Sequence, residues 1–413
     1  MPAWKDIVGY GGGSLVVAAI VHAILWRVLR PLFGRRRGAR AIALLLVGLY
    51  PLAMAGLLWM NVLPRAVATP TMGVAFTWVG VSYFLLLCAP IALWPSWIPE
   101  RWVRRWQRQH SAIDRQRLRR ICCGVALAVA GALALHSVYM ARRRPDVVHV
   151  RVPLSRWPSS LDGYRVAHLS DLHVGATIGR AQVQGVVDAV NAQDVDIVLI
   201  TGDLVDGSVD QLAPHIAPLS ALRSRHGVYA ALGNHEYFSP TDAWIRHLAT
   251  LGVGVLRNAW MPIGPFDLVG IDEWSAPEFT PLHAPDVDAA LRGRQPHRPA
   301  IVMVHQPQAL RALAALNRAA QGSGQPPVVD LQLSGHTHGG QLWPLGHLAR
   351  WDQGVLQGLW LRDGLMVHVT PGTGYWGPPM RFLAAAQISI LSLYRASDAS
   401  PPVVGGAGVR PTQ

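Results

Sequence analysis

The stretch VVDLQLSGHTHGGQ, residues 328–341, decides the fold. Its first half is a short apolar run, and it stops at Gly335 before two imidazoles, His336 and His338. An apolar run of this length bounded by glycine reads as a buried strand. Imidazoles at i and i+2 on a tight loop can reach two adjacent ions. Working outward, the same arrangement recurs. RVAHLS (165–170) runs into Asp171 and His173, VDIVLI (195–200) into Asp203, VYAAL (228–232) into Asn234 and His235, and IVMV (301–304) into His305. Each is an apolar strand ending in a ligand-type side chain, and α/β folds bind ligands beyond the carboxyl ends of their strands. His173 to Asp203 is 30 positions, Asp203 to Asn234 is 31, and His305 to His336 is 31. A βαβ unit takes about 30 residues or more, so successive motifs can return to one edge.

The donor types restrict the chemistry. Carboxylate, carboxamide oxygen and imidazole are present, and thiolate is absent. Cys88, Cys122 and Cys123 lie in apolar runs and give neither a disulfide framework nor a cysteine metal site. A mixed nitrogen and oxygen set suits Mn²⁺, Fe²⁺ or Zn²⁺ better than Ca²⁺ or Cu(I). The candidates are too many for one ion and suffice for two if one carboxylate bridges them. Two ions about 3.5–4 Å apart can clamp a phosphoryl group and generate hydroxide at neutral pH.

From about residue 147 the pattern is that of one α/β domain. Strands are expected at 147–153, 164–169, 195–201, 227–232, 253–257, 267–271, 299–304, 328–334, 366–370 and 387–394. Helices are expected at 180–193, 209–223, 241–251, 286–292 and 307–320. Residues 321–327 read as a surface loop, and the Pro/Gly-rich tail 398–413 as disordered.

The first third differs in kind. Charged residues make up 15% of the 413-residue chain, against about 25% in an average soluble protein. Apolar stretches at about 8–26, 41–63, 73–95 and 121–140 are each near the ~20 residues that cross a hydrocarbon core. Residues 1–145 therefore read as a helical domain of about four transmembrane helices, 146–397 as the catalytic domain. His22 and His136 fall inside spans and read as satisfied by neighbouring helices. Arginines crowd the loops after the first and third spans. The positive-inside rule puts those loops in the cytoplasm and the α/β domain outside it, on a multi-pass inner-membrane protein.

The net charge of +13 alone would suggest a nucleic-acid binder. Its distribution excludes that reading. Residues 1–145 hold 19 basic and 3 acidic side chains, whereas 146–413 hold 18 and 21. The α/β domain lacks the basic footprint that a phosphate backbone demands, so no nucleic-acid partner is expected.

Taken in order, SDLH, GDLVDG, GNHEY, HQP and SGHTHGGQ resemble the calcineurin-like metallophosphoesterase superfamily over about residues 147–395. The stretch TPGTGYWGPPMR (370–381) is similar to its bacterial membrane-associated branch. The resemblance implies an α/β/β/α sandwich of two mixed sheets. It implies a first metal on Asp171, His173 and His338, a second on Asn234, His305 and His336, and Asp203 bridging them. His235 would be no ligand but would stand beside the scissile phosphate and stabilise or protonate the leaving oxygen. Two departures stand out. Glu236 follows His235 where many members have Asp, and Glu can still orient an imidazole. AAAQISIL (384–391) replaces a common Pro-Glu-Ile, which puts the packing of the last strand in question.

Other residues keep two readings. His168 reads as core. Asp206 is equally a turn carboxylate or a partner to the ligand set. Gly339, Gly340 and Gln341 either line a substrate pocket or permit a tight turn. Tyr375, Trp376 and Arg381 either meet the substrate or belong to the core or a membrane face. The expectation is a membrane-anchored, two-metal phosphoesterase that works by attack of a metal-bound hydroxide. Attachment to a bilayer points to a lipid-linked or cell-envelope phosphodiester. The alternative is a non-catalytic membrane sensor or accessory protein.

Overall fold

Strands with both faces covered read as near-continuous apolar runs, and IVLIT at 197–201 is such a run with every residue buried. The computed structural model describes residues 4–33, 49, 65–99, 101–102, 105, 115–280 and 283–396. The chain divides into two compact units, one mainly of residues up to Arg142 and the other mainly from Arg143 onward.

The first unit is helical: α1 (Trp4–Phe33), α2 (Arg65–Leu87), α3 (Ala89–Trp97) and α4 (Arg115–Arg142). Arg65–Trp97 and Arg115–Arg142 are long and apolar enough to cross a membrane. The expected span 8–26 lies within α1, and the span 41–63, residue 49 apart, lies outside the described residues. His22 is satisfied by neighbours as expected: its Nε2 accepts the Trp78 indole N–H at 3.2 Å, and its Nδ1 contacts the Ala18 carbonyl. His136 differs, because it lies exposed on α4.

The second unit is a mixed α/β fold built on two six-stranded sheets. The first sheet runs in the order β1 (Asp146–Leu154), β12 (Gln387–Arg395), β2 (Tyr164–Leu169), β3 (Ile197–Thr201), β4 (Val228–Ala231), β5 (Val253–Val255). Strands β2 to β5 are parallel, and β12 lies antiparallel to β2 and parallel to β1. The second sheet runs β10 (Gly358–Arg362), β11 (Leu365–Val369), β9 (Leu331–Ser334), β8 (Ala300–Met303), β7 (Phe266–Gly270), β6 (Ala259–Ile263). Strands β11, β9, β8 and β7 are parallel, with an antiparallel strand at each edge.

Alternation along the strands builds the layers. Ile197 and Leu199 of the first sheet share a core cluster with Ile301, Met303, Leu331 and Leu333 of the second. The intervening Ala300 and Val302 face the other way, with Leu313 and Ala314 of α10 (Leu310–Gly322). Val183, Val186, Val187 and Val190 give α5 (Arg180–Asn191) its buried face. Cutting a core leucine such as Leu199 to alanine would cost about 2–5 kcal/mol. Packing of the last strand is sound despite its unusual sequence: Ile388, Ile390, Leu391 and Leu393 are fully buried.

Further helices are α6 (Val209–Ile216), α7 (Thr241–Thr250), α8 (Ala276–Phe279), α9 (Val287–Leu291) and α11 (Gly346–Gln353). The expected helix 209–223 ends at Ile216 and continues as a 3₁₀ turn, Ala217–Ala221, with Pro218 in its first turn. A proline there removes a helical N–H. Strands β6 and β10, with α8 and α11, are additions to the sequence reading. Helix α10 runs to Gly322, so the expected loop begins two residues late.

Candidate metal centre

Five strand ends meet where the two sheets converge. Asp171 and His173 follow β2, Asp203 follows β3, Asn234 and His235 open a 3₁₀ turn behind β4, His305 follows β8, and His336 and His338 follow β9. Backbone hydrogen bonds carry the pairing past the strands. Asp171 N–H donates to Gly202 O and His173 N–H to Asp203 O, both at 3.0 Å, and Gly335 N–H donates to His305 O at 3.0 Å. Asp171 ties the sheets together, since its carboxylate accepts the His336 N–H at 3.1 Å. Asp203 Oδ1 accepts the His235 N–H at 2.9 Å.

Such close convergence has two backbone signatures. A Cβ on Gly335 would collide with Ser170 Oγ and Asp171 Oδ2, and one on Gly233 with Asp203 Oδ1, so both positions require glycine. Asp171, His173, Asp203, His336 and His338 all take left-handed backbone, with φ of 55°, 49°, 52°, 67° and 51°. A non-glycine residue there costs roughly 1–3 kcal/mol and persists only where its surroundings over-determine it, which is characteristic of functional sites.

All seven expected ligands are buried or nearly so, and six fall into groups whose donor atoms lie within 4.8 Å of one another. In the first group His173 Nε2 is 3.1 Å from His338 Nε2, and His338 Nε2 is 3.4 Å from Asp171 Oδ1. In the second, His336 Nδ1 is 3.2 Å from His305 Nε2. Asp203 Oδ2 stands 3.1 Å from His305 Nε2 and 3.6 Å from His173 Nε2, so one oxygen adjoins both groups. The seventh, Asn234, has a buried Oδ1 with no hydrogen-bond partner among the described residues.

These residues fit divalent cations. His173 Nδ1 pairs with Asp206 Oδ1 at 2.9 Å, and His305 Nδ1 with the Thr201 carbonyl at 2.6 Å. In each ring Nδ1 carries the proton and Nε2 turns a lone pair inward, as ligating histidines do. Converging lone pairs and carboxylates call for a cation, and a buried amide oxygen without a partner is a further candidate donor. The electrostatics agree. Burial opposes charge on His305 and His173, but the neighbouring carboxylates raise both rings, His305 well above its ordinary range. A divalent ion would displace those protons.

One carboxylate settles differently from the sequence reading, and Asp206 settles on one of its two readings, as a partner to the ligand set. Glu236 orients no imidazole. Its oxygens accept the backbone N–H groups of Asp203, Leu204, Val205 and Gly233 at 2.7–3.2 Å, clamping the loop that carries Asp203. Burial and then Asp203 push its carboxyl up to about 7, against those hydrogen bonds. The carboxylate beside His235 is Asp206, 2.7 Å from His235 Nδ1 but out of line for a hydrogen bond. Burial disfavours its charge, yet His173 and His235 bring its carboxyl down to about 2. The spacing Asp203–Asp206 was the only sequence signal for this role.

His235 stands edge-on to Phe238 and Trp376, with ring centroids at 4.9 and 5.5 Å, and its Nε2 is 3.9 Å from Asp203 Oδ2. Gln341 brackets Trp376, donating to its carbonyl and accepting its N–H. Gly339 and Gly340 take positive φ and form the turn. His168 is core: fully buried, it shares hydrogen bonds with His368 Nδ1 and Thr201 Oγ1, each 2.9 Å. Tyr375 and Arg381 are buried.

A model of the calcineurin-like phosphoesterases matches residues 164–340. A zebrafish (Danio rerio) transmembrane protein with metallophosphoesterase domain is 38% identical over 282 residues, 66% of this chain and 62% of that protein. The Bos taurus protein of the same name is 34% identical over 340 residues, 78% of this chain and 74% of that one. An uncharacterized metallophosphoesterase of Helicobacter pylori is 34% identical over 262 residues, covering 63% and 67%. The match thus spans less than two thirds of the zebrafish protein's length.

Proposed function

Because this chain belongs to the calcineurin-like metallophosphoesterase family and is thereby a metal-dependent phosphoric ester hydrolase, we propose that it cleaves phosphoesters at a two-metal centre on a membrane-anchored domain. Asp171, His173 and His338 would hold one ion, Asn234, His305 and His336 the other, with Asp203 shared. The observation that carries this reading is Asp203 Oδ2, within 3.6 Å of an imidazole nitrogen from each group. When bound, the two ions supply an activated water nucleophile and absorb the charge of the phosphoryl group.

The chain's own residues do the rest. Glu236 and the His235 N–H fix the Asp203 loop and carboxylate, so the shared oxygen needs no rearrangement as charge develops. His235 holds a proton at Nε2 for the departing oxygen. Asp206 Oδ1 stands 2.7 Å from its Nδ1, and Phe238 and Trp376 limit the rotation of the ring.

Membrane association is supported by two apolar helices and by relatives named transmembrane proteins. Four spans on residues 1–145, a catalytic domain at 146–397 outside the cytoplasm, and a lipid-linked or envelope phosphodiester as substrate complete the proposal. The full chain in detergent would be assayed on an aryl phosphodiester and monoester, with Mn²⁺ and with chelator. Mn²⁺-dependent turnover that is lost in Asp203→Asn and His235→Ala is the expected result. Turnover that survives chelation, or survives in Asp203→Asn, would overturn it.

A further inference from the structure

Arg381 is 1% exposed, so its guanidinium meets no substrate in solution. Among the described residues, all its hydrogen bonds go to backbone carbonyls. Nε donates to Gly374 O at 2.8 Å, and Nη1 to His338 O at 3.2 Å and Ala384 O at 3.0 Å. Nη2 donates to Pro371 O at 2.8 Å, Gly372 O at 3.4 Å and Gly374 O at 2.5 Å. Burying a cation without a hydrogen-bonded carboxylate is costly, and the planar fork of five donors offsets that cost only by gathering carbonyls in one plane.

The carbonyls it gathers lead first to the backbone of Asp171 and His338, and reach the other group at one remove, through the Asp171 carboxylate and the His336 N–H. The loop 371–374 turns its amides the other way, where Thr373 N–H donates to Ser170 O at 2.8 Å and Gly374 N–H to Asp171 O at 2.9 Å. Arg381 therefore holds the backbone of Asp171 through one intervening loop and that of His338 directly. Both residues have left-handed backbone. The guanidinium also lies close behind them: a Cβ on Gly372 would stand 3.0 Å from Asp171 Cβ, 3.2 Å from Arg381 Nη2 and 3.4 Å from His338 Nδ1. None of its hydrogen bonds reaches Asn234, His305 or His336.

We propose that Arg381 is a positioning residue for the first metal site, fixing Asp171 and His338 so that this site, and not the second, owes its affinity to the buried guanidinium. The inference rests on the two-metal reading above. Arg381→Lys keeps the charge but loses the planar fork, so it separates geometry from electrostatics.

The test is Mn²⁺ titration of the full chain in detergent, read by electron paramagnetic resonance, which reports free ions and coupled pairs. Wild type is expected to bind two ions and show a coupled-pair signal. Arg381→Lys should bind one ion normally and the other about 10–100-fold more weakly, the usual range for a group supporting metal ligands. In an Asn234→Ala background, which retains the first site, Arg381→Lys should remove the remaining high-affinity ion. Millimolar guanidinium added to Arg381→Gly should restore that ion. Arg381→Lys binding two ions with unchanged affinity would overturn the inference alone. Equal weakening of both sites, or guanidinium restoring thermal stability and both sites together, would mark a purely structural role and overturn it too. Fewer than two ions on wild type would sink the two-metal reading first.

Discussion

The two proposed ligand groups share Asp203 but are held by different means. In the first, Asp171, His173 and His338 all have left-handed backbone, a carboxylate (Asp206) backs His173, and a guanidinium (Arg381) gathers the loops behind the other two. In the second, only His336 has such backbone, and a neutral carbonyl, that of Thr201, backs His305. Thr201 is steadied in turn by the buried pair His168 and His368. The two Nδ1 atoms are thus backed differently, that of His173 by a carboxylate and that of His305 by a neutral carbonyl. An anionic partner makes an imidazole a stronger donor, so the first site should hold its ion more tightly and respond more to charge changes nearby.

Asp203→Asn strikes the atom common to both groups and should abolish the contrast. Turnover should fall by on the order of 10³-fold or more, the scale of lost transition-state charge stabilisation, with both ions weakened in calorimetric titration. His235→Ala spares both ligand sets and should cost about 10²–10⁴-fold. That loss should shrink on substrates with acidic leaving groups, where protonation matters less, so a flat dependence on leaving-group acidity would refute the acid role. Asp206→Asn sharpens the comparison. First-site affinity should drop about 10–100-fold while second-site affinity holds, and equal loss at both would erase the distinction.

The smallest effect concerns the support beneath the second group. Burial depresses His368 to about 3 and, with His368 beside it, holds His168 well below the ordinary range. Both rings are neutral in the folded chain and take up protons below about pH 6.5 when unfolded. Their contribution to stability is therefore complete above that pH and is lost on acidification toward the folded values, at up to ~1.4 kcal/mol per pH unit for each proton. Melting temperature should fall between pH 7 and 5, and His368→Leu should flatten part of that slope.

Much of this was legible in the sequence. Seven ligand-type residues sat at strand ends, with spacings near 30 that fit repeated crossovers, and the buried strands of both sheets announced themselves by continuous apolar runs. The strands that escaped notice, β6 and β10, are the two edges of the second sheet. Each buries one residue of five where the central strands bury all of theirs, and β6 carries Pro262, which a ladder tolerates only at an edge, so neither reads as a core strand. Glu236 was assigned the wrong partner for a related reason. Adjacency to His235 suggested contact with that ring, but the chain turns there and aims the carboxylate at backbone amides more than thirty positions earlier.

Sequence by itself marked which residues are candidates for the chemistry, because a buried strand must be apolar and a ligand must be polar, and both demands are written locally. Tertiary structure alone decided how those residues are held. Asp206 meets His173 across 33 positions and Arg381 meets His338 across 43, and no periodicity records such pairings. The left-handed backbone at five of the seven candidate ligands follows the same logic: it is a strain that no side chain prefers and that only convergence of loops from two sheets can impose.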